Sequence, residues 1–301
     1  MTAAGLARPA GWRLWWMAAR PRTLSLSVAP VLAGSALAVA LGHPFHPGPT
    51  TLALAGAVLI QMGTNLHNDF ADALRGGDGA DRVGPPRVTG LGWVAPGQVH
   101  TAALLCFAVA ALIGLLLVAM GGWPILALGV ASLTAAWGYS GGPRPISATP
   151  LGEAFVVAFF GIGAVAGTVW LQVGALPPSA LTLGVIMGLP AAAVLMVNNY
   201  RDAASDRRTG RRTLAITLGP ATSRTVYGGL MLLPFALLFS LPEGAGAGVL
   251  ALPLAVACIR AIHRHAEGAA LNRLLAGTAQ CQLLMALTCA LGMLISHGIG
   301  G

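Results

Sequence analysis

Six of the nine acidic residues in this 301-residue chain are aspartates confined to two short stretches. "NLHNDFADALRGGDGADR" (65–82) carries Asp69, Asp72, Asp78 and Asp81, and "NNYRDAASDRRTGRRT" (198–213) carries Asp202 and Asp206. Both begin N-x-x-x-D, at 65–69 and again at 198–202, which reads as a weak internal repeat. At about 100° of rotation per helical residue, Asn65, Asn68, Asp69 and Asp72 fall within an arc of about 100°, and Asn198, Asp202 and Asp206 within about 80°. Each stretch, if helical, presents one face of carboxylate and amide oxygens. Such ligands suit Mg2+, which keeps several waters and is usually held by one or two carboxylates plus substrate phosphates. The plainer reading, loop charges solvated and paired with nearby arginines, leaves the shared spacing without a reason.

Arginine supplies the complementary charge. A metal ion alone leaves much of a diphosphate unbalanced, and the guanidinium fork matches phosphate oxygens. "DRRTGRRT" (206–213) sets four arginines and Gly210 beside the second cluster, and "DRVGPPR" (81–87) sets Arg82 and Arg87 beside the first. The sequence contains no G-x-x-x-x-G-K-[ST] loop, so nothing points to a nucleoside triphosphate.

The elements that must position these residues belong in lipid. The chain is 56% hydrophobic and 9% charged, against about 25% charged in a soluble domain. Apolar runs near the length that spans a bilayer as a helix recur throughout. The expectation is an all-α polytopic membrane protein, one domain over 1–301, with spanning helices at about 22–42, 50–70, 97–118, 122–140, 151–174, 179–200, 220–241, 245–262 and 275–297. Residues 1–21 lack an uninterrupted apolar stretch. They mix Trp12, Trp15 and Trp16 with Arg13 and Arg20, as a short helix in the headgroup region would. The four cysteines have no metal-ligand spacing and read as small core residues.

All seventeen basic residues are arginine, and the net charge is +8. With nine helices, every one of them falls on the side of the N-terminus, and the opposite loops, near 43–49, 119–121, 175–178 and 242–244, hold none. That distribution makes the arginine side cytoplasmic. It also explains the basic balance by a membrane face and an anionic ligand, leaving no call for nucleic acid. Transporters too combine repeats with polar clusters, but their ion sites lie near the bilayer midplane in broken helices. Both clusters here fall at helix ends on one face.

"NDFAD" with "DRVGP", and "NNYRDAASDRRTGRRTLAITLG", resemble the two aspartate-rich motifs of the UbiA superfamily of intramembrane prenyltransferases. "RPRTLSLSVAPVLAGSALA" (20–38), N-x-x-N-D at 65–69, "GGD" before "DRVGPPR", and "GRRTLA" are similar to the branch that prenylates 1,4-dihydroxy-2-naphthoate in menaquinone synthesis. The resemblance spans about residues 15–220. It implies nine transmembrane helices around a central cavity under cytoplasmic cap loops, and Mg2+ bridging the diphosphate of a polyprenyl donor. By motif it carries over Asn68, Asp72, Asp202 and Asp206 as catalytic, and these with Asp69 as metal ligands. Arg22, Arg82, Arg87, Arg144, Arg211 and Arg212 become the diphosphate candidates. Asn65, Tyr139 and Asn198 become candidates to stabilise the acceptor or the allylic cation, although Tyr139 fits an interfacial tyrosine as well. The broader first signature has another aspartate at position 76, where this chain has Gly76, a departure from the 4-hydroxybenzoate branch. The implied reaction is attack of an electron-rich aromatic ring, 1,4-dihydroxy-2-naphthoate or an alternative such as 4-hydroxybenzoate, on the allylic carbon in the inner membrane of a bacterium.

Overall fold

The computed structural model describes residues 8–76, 84–264 and 267–300, and the regular elements among them are helical. A short helix α1 (Trp12–Ala18) and a 3-10 turn (Pro21–Thr23) lead into α2 (Ser25–Ala40). Then follow α3 (Pro47–Leu74), α4 (Pro96–Gly121), α5 (Trp123–Ser140), α6 (Gly152–Val173), α7 (Pro178–Arg208), α8 (Leu214–Ser240), α9 (Ala245–His263) and α10 (Ala269–Gly300). Seven of them, α2 with its preceding turn and α4, α6, α7, α8, α9 and α10, are long and apolar enough to cross a membrane. The protein is an integral membrane protein. α3 and α5 fall outside that set, α3 because its second half carries Gln61, Asn65, His67, Asn68, Asp69 and Asp72.

The expected spans fall on these helices, with two informative differences. α3 and α7 run past 70 and 200 to Leu74 and Arg208, so Asp69, Asp72, Asp202 and Asp206 lie within helix and not beyond its end. α8 begins at Leu214, but Gly219 (φ +74°) breaks it just before Pro220, the position at which the sequence places its start.

Successive helices alternate in direction. The end of the bundle at which α3 and α7 finish is also where α2, α6 and α8 start. Its opposite end is tied by Gln172, which accepts a hydrogen bond from the His46 backbone N–H (2.9 Å) and donates to Thr50 (3.0 Å). α7 is the most enclosed span, and with α2, α8, α9 and α10 it builds the main core around Leu37, Leu183, Met196, Tyr227 and Met285. Where α6 meets α7, small residues let backbones touch: a Cβ on Gly161 would lie 2.3 Å from the Gly184 carbonyl oxygen. This is the close approach that membrane helices, lacking a hydrophobic drive to associate, use for packing. α6 has a π stretch there, Val157–Gly163. α4 by contrast turns Leu105, Leu112 and Leu115 outward, the face a lipid tail would cover.

Candidate active site

The two aspartate clusters meet. The α7 C-terminus explains how: Gly210 takes φ +76°, the left-handed conformation that commonly ends a helix, and the chain doubles back so that the Arg211 N–H donates to the Asp206 carbonyl (2.9 Å). The Arg211 guanidinium then reaches both clusters. Its Nη1 contacts Asp206 Oδ1 at 3.3 Å, and its Nη2 pairs with Asp72 Oδ1. Asp72 is 3% exposed, and its other oxygen is paired with Arg87, itself buried. Arg87 also donates to Asn68 Oδ1 (3.4 Å). It comes from the 84–95 segment, which folds back over α3 on buried Val88 and Val94, packing against Leu14 and Ala18 of α1. From the same segment the Thr89 hydroxyl donates to Asp69. Burial works against the charge on Arg211, and Asp72 and Asp206 more than offset it, raising its pKa above the usual arginine value.

In the second cluster Arg201 orders the neighbours. Its buried guanidinium grips Asp202 at 2.8 and 2.6 Å and donates to Asn198 Oδ1 (2.8 Å) and to Asn272 Oδ1 of α10 (2.8 Å).

Below these charges lies an apolar cavity of about 480 Å³. Its polar rim includes Arg20, Asn65, Asn68, Tyr139 and Asn198, and its walls descend past Val31, Ile60 and Phe160. Among the wall residues Leu115, Leu126 and Val130 are exposed on the outer surface, so the cavity opens sideways between helices.

The oxygen donors fit a hard divalent cation. Asn68, Asp69, Asp72, Asp202 and Asp206 offer no sulfur or imidazole, which is the chemistry Mg2+ prefers. No ready cluster of three or more His, Cys, Asp or Glu side chains with metal-holding geometry occurs among the described residues. Asp72 and Asp202 are instead paired with arginines.

A charged, metal-compatible rim over an apolar cavity can seat a diphosphate with a long apolar tail. The profile of the UbiA prenyltransferase family matches residues 27–276. The chain belongs to the UbiA prenyltransferase family. It is 37% identical to a 1,4-dihydroxy-2-naphthoate octaprenyltransferase from Mycobacterium tuberculosis over 93% of this chain and 97% of that one. It is 36% identical to the protein of the same name from Escherichia coli, over 94% and 96%. A UbiA homolog from Archaeoglobus fulgidus bound to GPP and Mg2+ superposes with a TM-score of 0.66, at 14% identity, over 93% of this chain and 99% of that one. That likeness extends the family match to the fold.

Against the UbiA pattern read from sequence, the structure brings together Asn68, Asp69, Asp72, Arg87, Asp206 and Arg211, with Asn65, Tyr139 and Asn198 on the cavity rim and Asp202 beside Asn198. It leaves other candidates apart. Arg22 is exposed and is not among the cavity's lining residues. Arg144 is exposed on an outer groove with Phe155 and Phe159. Arg212 is exposed, its backbone N–H bonded to the Ala148 carbonyl (2.9 Å). Arg82, Asp78 and Asp81 lie outside the described residues.

Three residues at the site escape the sequence reading. Arg20 lines the cavity with φ +56°, a strained conformation outside glycine. Thr23, donating to the Arg20 carbonyl (2.9 Å), and Asn65, donating to the Ala19 carbonyl (2.8 Å), hold it there. Asn65 thus anchors the arginine's turn. Arg201, in a run of polar residues, carried no distinguishing signal. Glu153 did carry one: an acid at the start of an apolar membrane helix is a functional candidate by default.

Proposed function

We propose that this protein transfers a polyprenyl group from a polyprenyl diphosphate to 1,4-dihydroxy-2-naphthoate, with Mg2+ as cofactor, releasing diphosphate and carbon dioxide and giving demethylmenaquinol for menaquinone biosynthesis. The carrying observation is the single guanidinium of Arg211 joining Asp72 and Asp206 above an apolar cavity, in a chain whose relatives bear that enzymatic name over nearly their full length.

Asn68, Asp69, Asp72, Asp202 and Asp206 hold the metal–diphosphate complex. Mg2+, when bound, neutralises charge that develops on the leaving diphosphate. Arg20, Arg87 and Arg211 add donors to the same oxygens, and Arg22, Arg82, Arg144 and Arg212 supply the surrounding positive field that draws an anionic donor in. The prenyl tail lies along Val31, Ile60 and Phe160 and leaves through the side opening beside Leu115 and Val130 into lipid. The apolar walls keep water from the allylic cation. Tyr139, Asn65 and Asn198 face the acceptor. The whole chain acts as one membrane domain. All nine helices from α2 to α10 cross the bilayer, α3 and α5 included, and the arginine-bearing end with its cap segments faces the cytoplasm of a bacterial cell.

The test is competition. Equal amounts of the naphthoate and 4-hydroxybenzoate are offered with one polyprenyl diphosphate and Mg2+, and the products are weighed by mass spectrometry. The expected product is the prenylated, decarboxylated naphthoquinol. A dominant benzoate product would move the protein to another branch, and no donor consumption with either acceptor would end the prenyltransferase reading.

A further inference from the structure

Glu153 is the buried acid that neither metal nor diphosphate requires. It begins α6, is 4% exposed, and no cation pairs with it among the described residues. Asn199 of α7 donates to its Oε1 at 2.9 Å, which orients the carboxyl, while Oε2 has no hydrogen-bond partner. A carboxyl in this position is expensive to bury; of the other buried carboxylates at this end, Asp69 is bonded by Thr89, and Asp72 and Asp206 are paired with arginines assigned to the donor.

Tyr139 of α5 lies beside the start of α6, next to Glu153 in the chain's packing. Its ring lines the cavity, and its hydroxyl lies against Gly152, where an added Cβ would approach it to 4.0 Å. Arg20, Asn65 and Asn68 line the same cavity, so the Tyr139 hydroxyl lies where the cavity's polar rim meets the start of α6, beside the residue that precedes the uncommitted carboxyl.

We propose that Glu153, acting through the Tyr139 hydroxyl, takes the proton from the hydroxyl group of the aromatic acceptor, which makes these two residues the proton-accepting side of the acceptor subsite. The assignment rests on the prenyltransferase reading above. As the acceptor's ring carbon bonds to the allylic carbon, the allylic C–O bond breaks and its electron pair leaves on the diphosphate. The acceptor O–H gives its proton to the Tyr139 oxygen, Tyr139 gives its own to Glu153 Oε2, and the freed pair forms the ring ketone. When the carboxylate leaves as carbon dioxide, the C–C pair restores the aromatic ring and its oxygen, and the proton returns by the same path. Glu153 ends unchanged, and no further reactant is needed. Because Glu153 acts through Tyr139 it is a positioning residue, and a purely structural role would give a different kinetic signature.

The experiment compares wild type, Glu153→Gln and Tyr139→Phe in detergent with Mg2+, one polyprenyl diphosphate and a series of ring-substituted hydroxynaphthoates of graded hydroxyl acidity. General-base assistance is worth about 10²–10⁴ in rate. The glutamine variant is therefore expected to lose about 100-fold or more in acceptor kcat/KM with weakly acidic acceptors. It should recover most of that with acceptors already ionised, and its donor KM should stay within about 2-fold of wild type. Tyr139→Phe is expected to give the same acidity-dependent loss, and the double variant no more than either alone. A uniform loss across the series, an unchanged rate, or a raised donor KM would overturn the proposal. Should Glu153→Gln not purify, Asn199→Ala, which leaves the carboxyl but frees its Oε1, is read by the same acidity criterion. A wild-type enzyme that prenylates none of the series would instead fail the functional reading, so the two failures are distinct.

Discussion

Replacing Arg211 with lysine keeps the charge and removes the fork. In the structure one guanidinium uses Nη2 on Asp72 and Nη1, at 3.3 Å, on Asp206, so it closes the gap between two helices that no sequence-local contact joins. A lysine ammonium is a point charge and can serve one of these partners at a time. A hydrogen bond to a charged group is worth about 1.5–3 kcal/mol. The Arg211 side chain is 20% exposed, and Asp72 keeps Arg87, so the lower half of that range is the better figure for stability. In the donor complex the same fork meets diphosphate oxygens, and losing one such bond at about 1.4 kcal/mol per decade lowers donor kcat/KM by roughly 10- to 100-fold. The assay is steady-state turnover of a polyprenyl diphosphate at saturating acceptor, then of the acceptor at saturating donor, with thermal unfolding in detergent alongside. The expected pattern is a raised donor KM, an acceptor KM within about 2-fold of wild type, and a modest loss of thermal stability. A lysine variant indistinguishable from wild type on the donor would refute the bridging role. Equal losses on both substrates with a collapsed unfolding temperature would assign Arg211 to folding alone.

Asp72→Ala, Asp202→Ala and Asp206→Ala are each expected to abolish most activity in protein that still inserts and purifies. Asp72→Ala should also cost the most stability, because it removes the buried carboxylate that Arg87 and Arg211 share, and near-wild-type turnover at saturating Mg2+ would remove a residue from the site. Arg20→Ala should raise donor KM by about 10-fold or more while Arg22→Ala changes it little, since one lines the cavity and the other is exposed; the reverse order would return the role to Arg22. Chelating Mg2+ should stop turnover without lowering the unfolding temperature of the substrate-free protein, because arginines already partner Asp72 and Asp202; a large thermal shift on chelation would show a structural metal. Gly161→Val should destabilise by about 1–3 kcal/mol or prevent folding, as its Cβ would meet the Gly184 carbonyl oxygen at 2.3 Å, and an unchanged unfolding temperature would mean that α6 and α7 pack otherwise.

Much of this protein was legible in the linear order of residues, and for local reasons. Long apolar runs mark helices because lipid leaves the backbone no other partner. The spacing Asn65, Asn68, Asp69, Asp72 already fixes one polar face, since helical rotation is a property of the chain itself. Gly210 after "DRRT" ends α7 and returns Arg211 to Asp206 within five residues. What the sequence left open is which groups from distant segments share a face. Four arginines lie within three residues of Gly210 or Asp206, and nothing local distinguishes Arg211, which reaches Asp72, from Arg212, which stays exposed. Arg20 and Arg22 stand two positions apart, yet a left-handed residue held by Asn65 and Thr23 sends only Arg20 to the cavity. Glu153 and Asn199 meet across the α6–α7 interface, where Gly161, Gly184 and Gly188 let the two helices approach backbone to backbone. Periodicity records which side of each helix is polar. How those sides converge depends on interhelical distance and helix-end geometry, which packing sets and no single segment encodes.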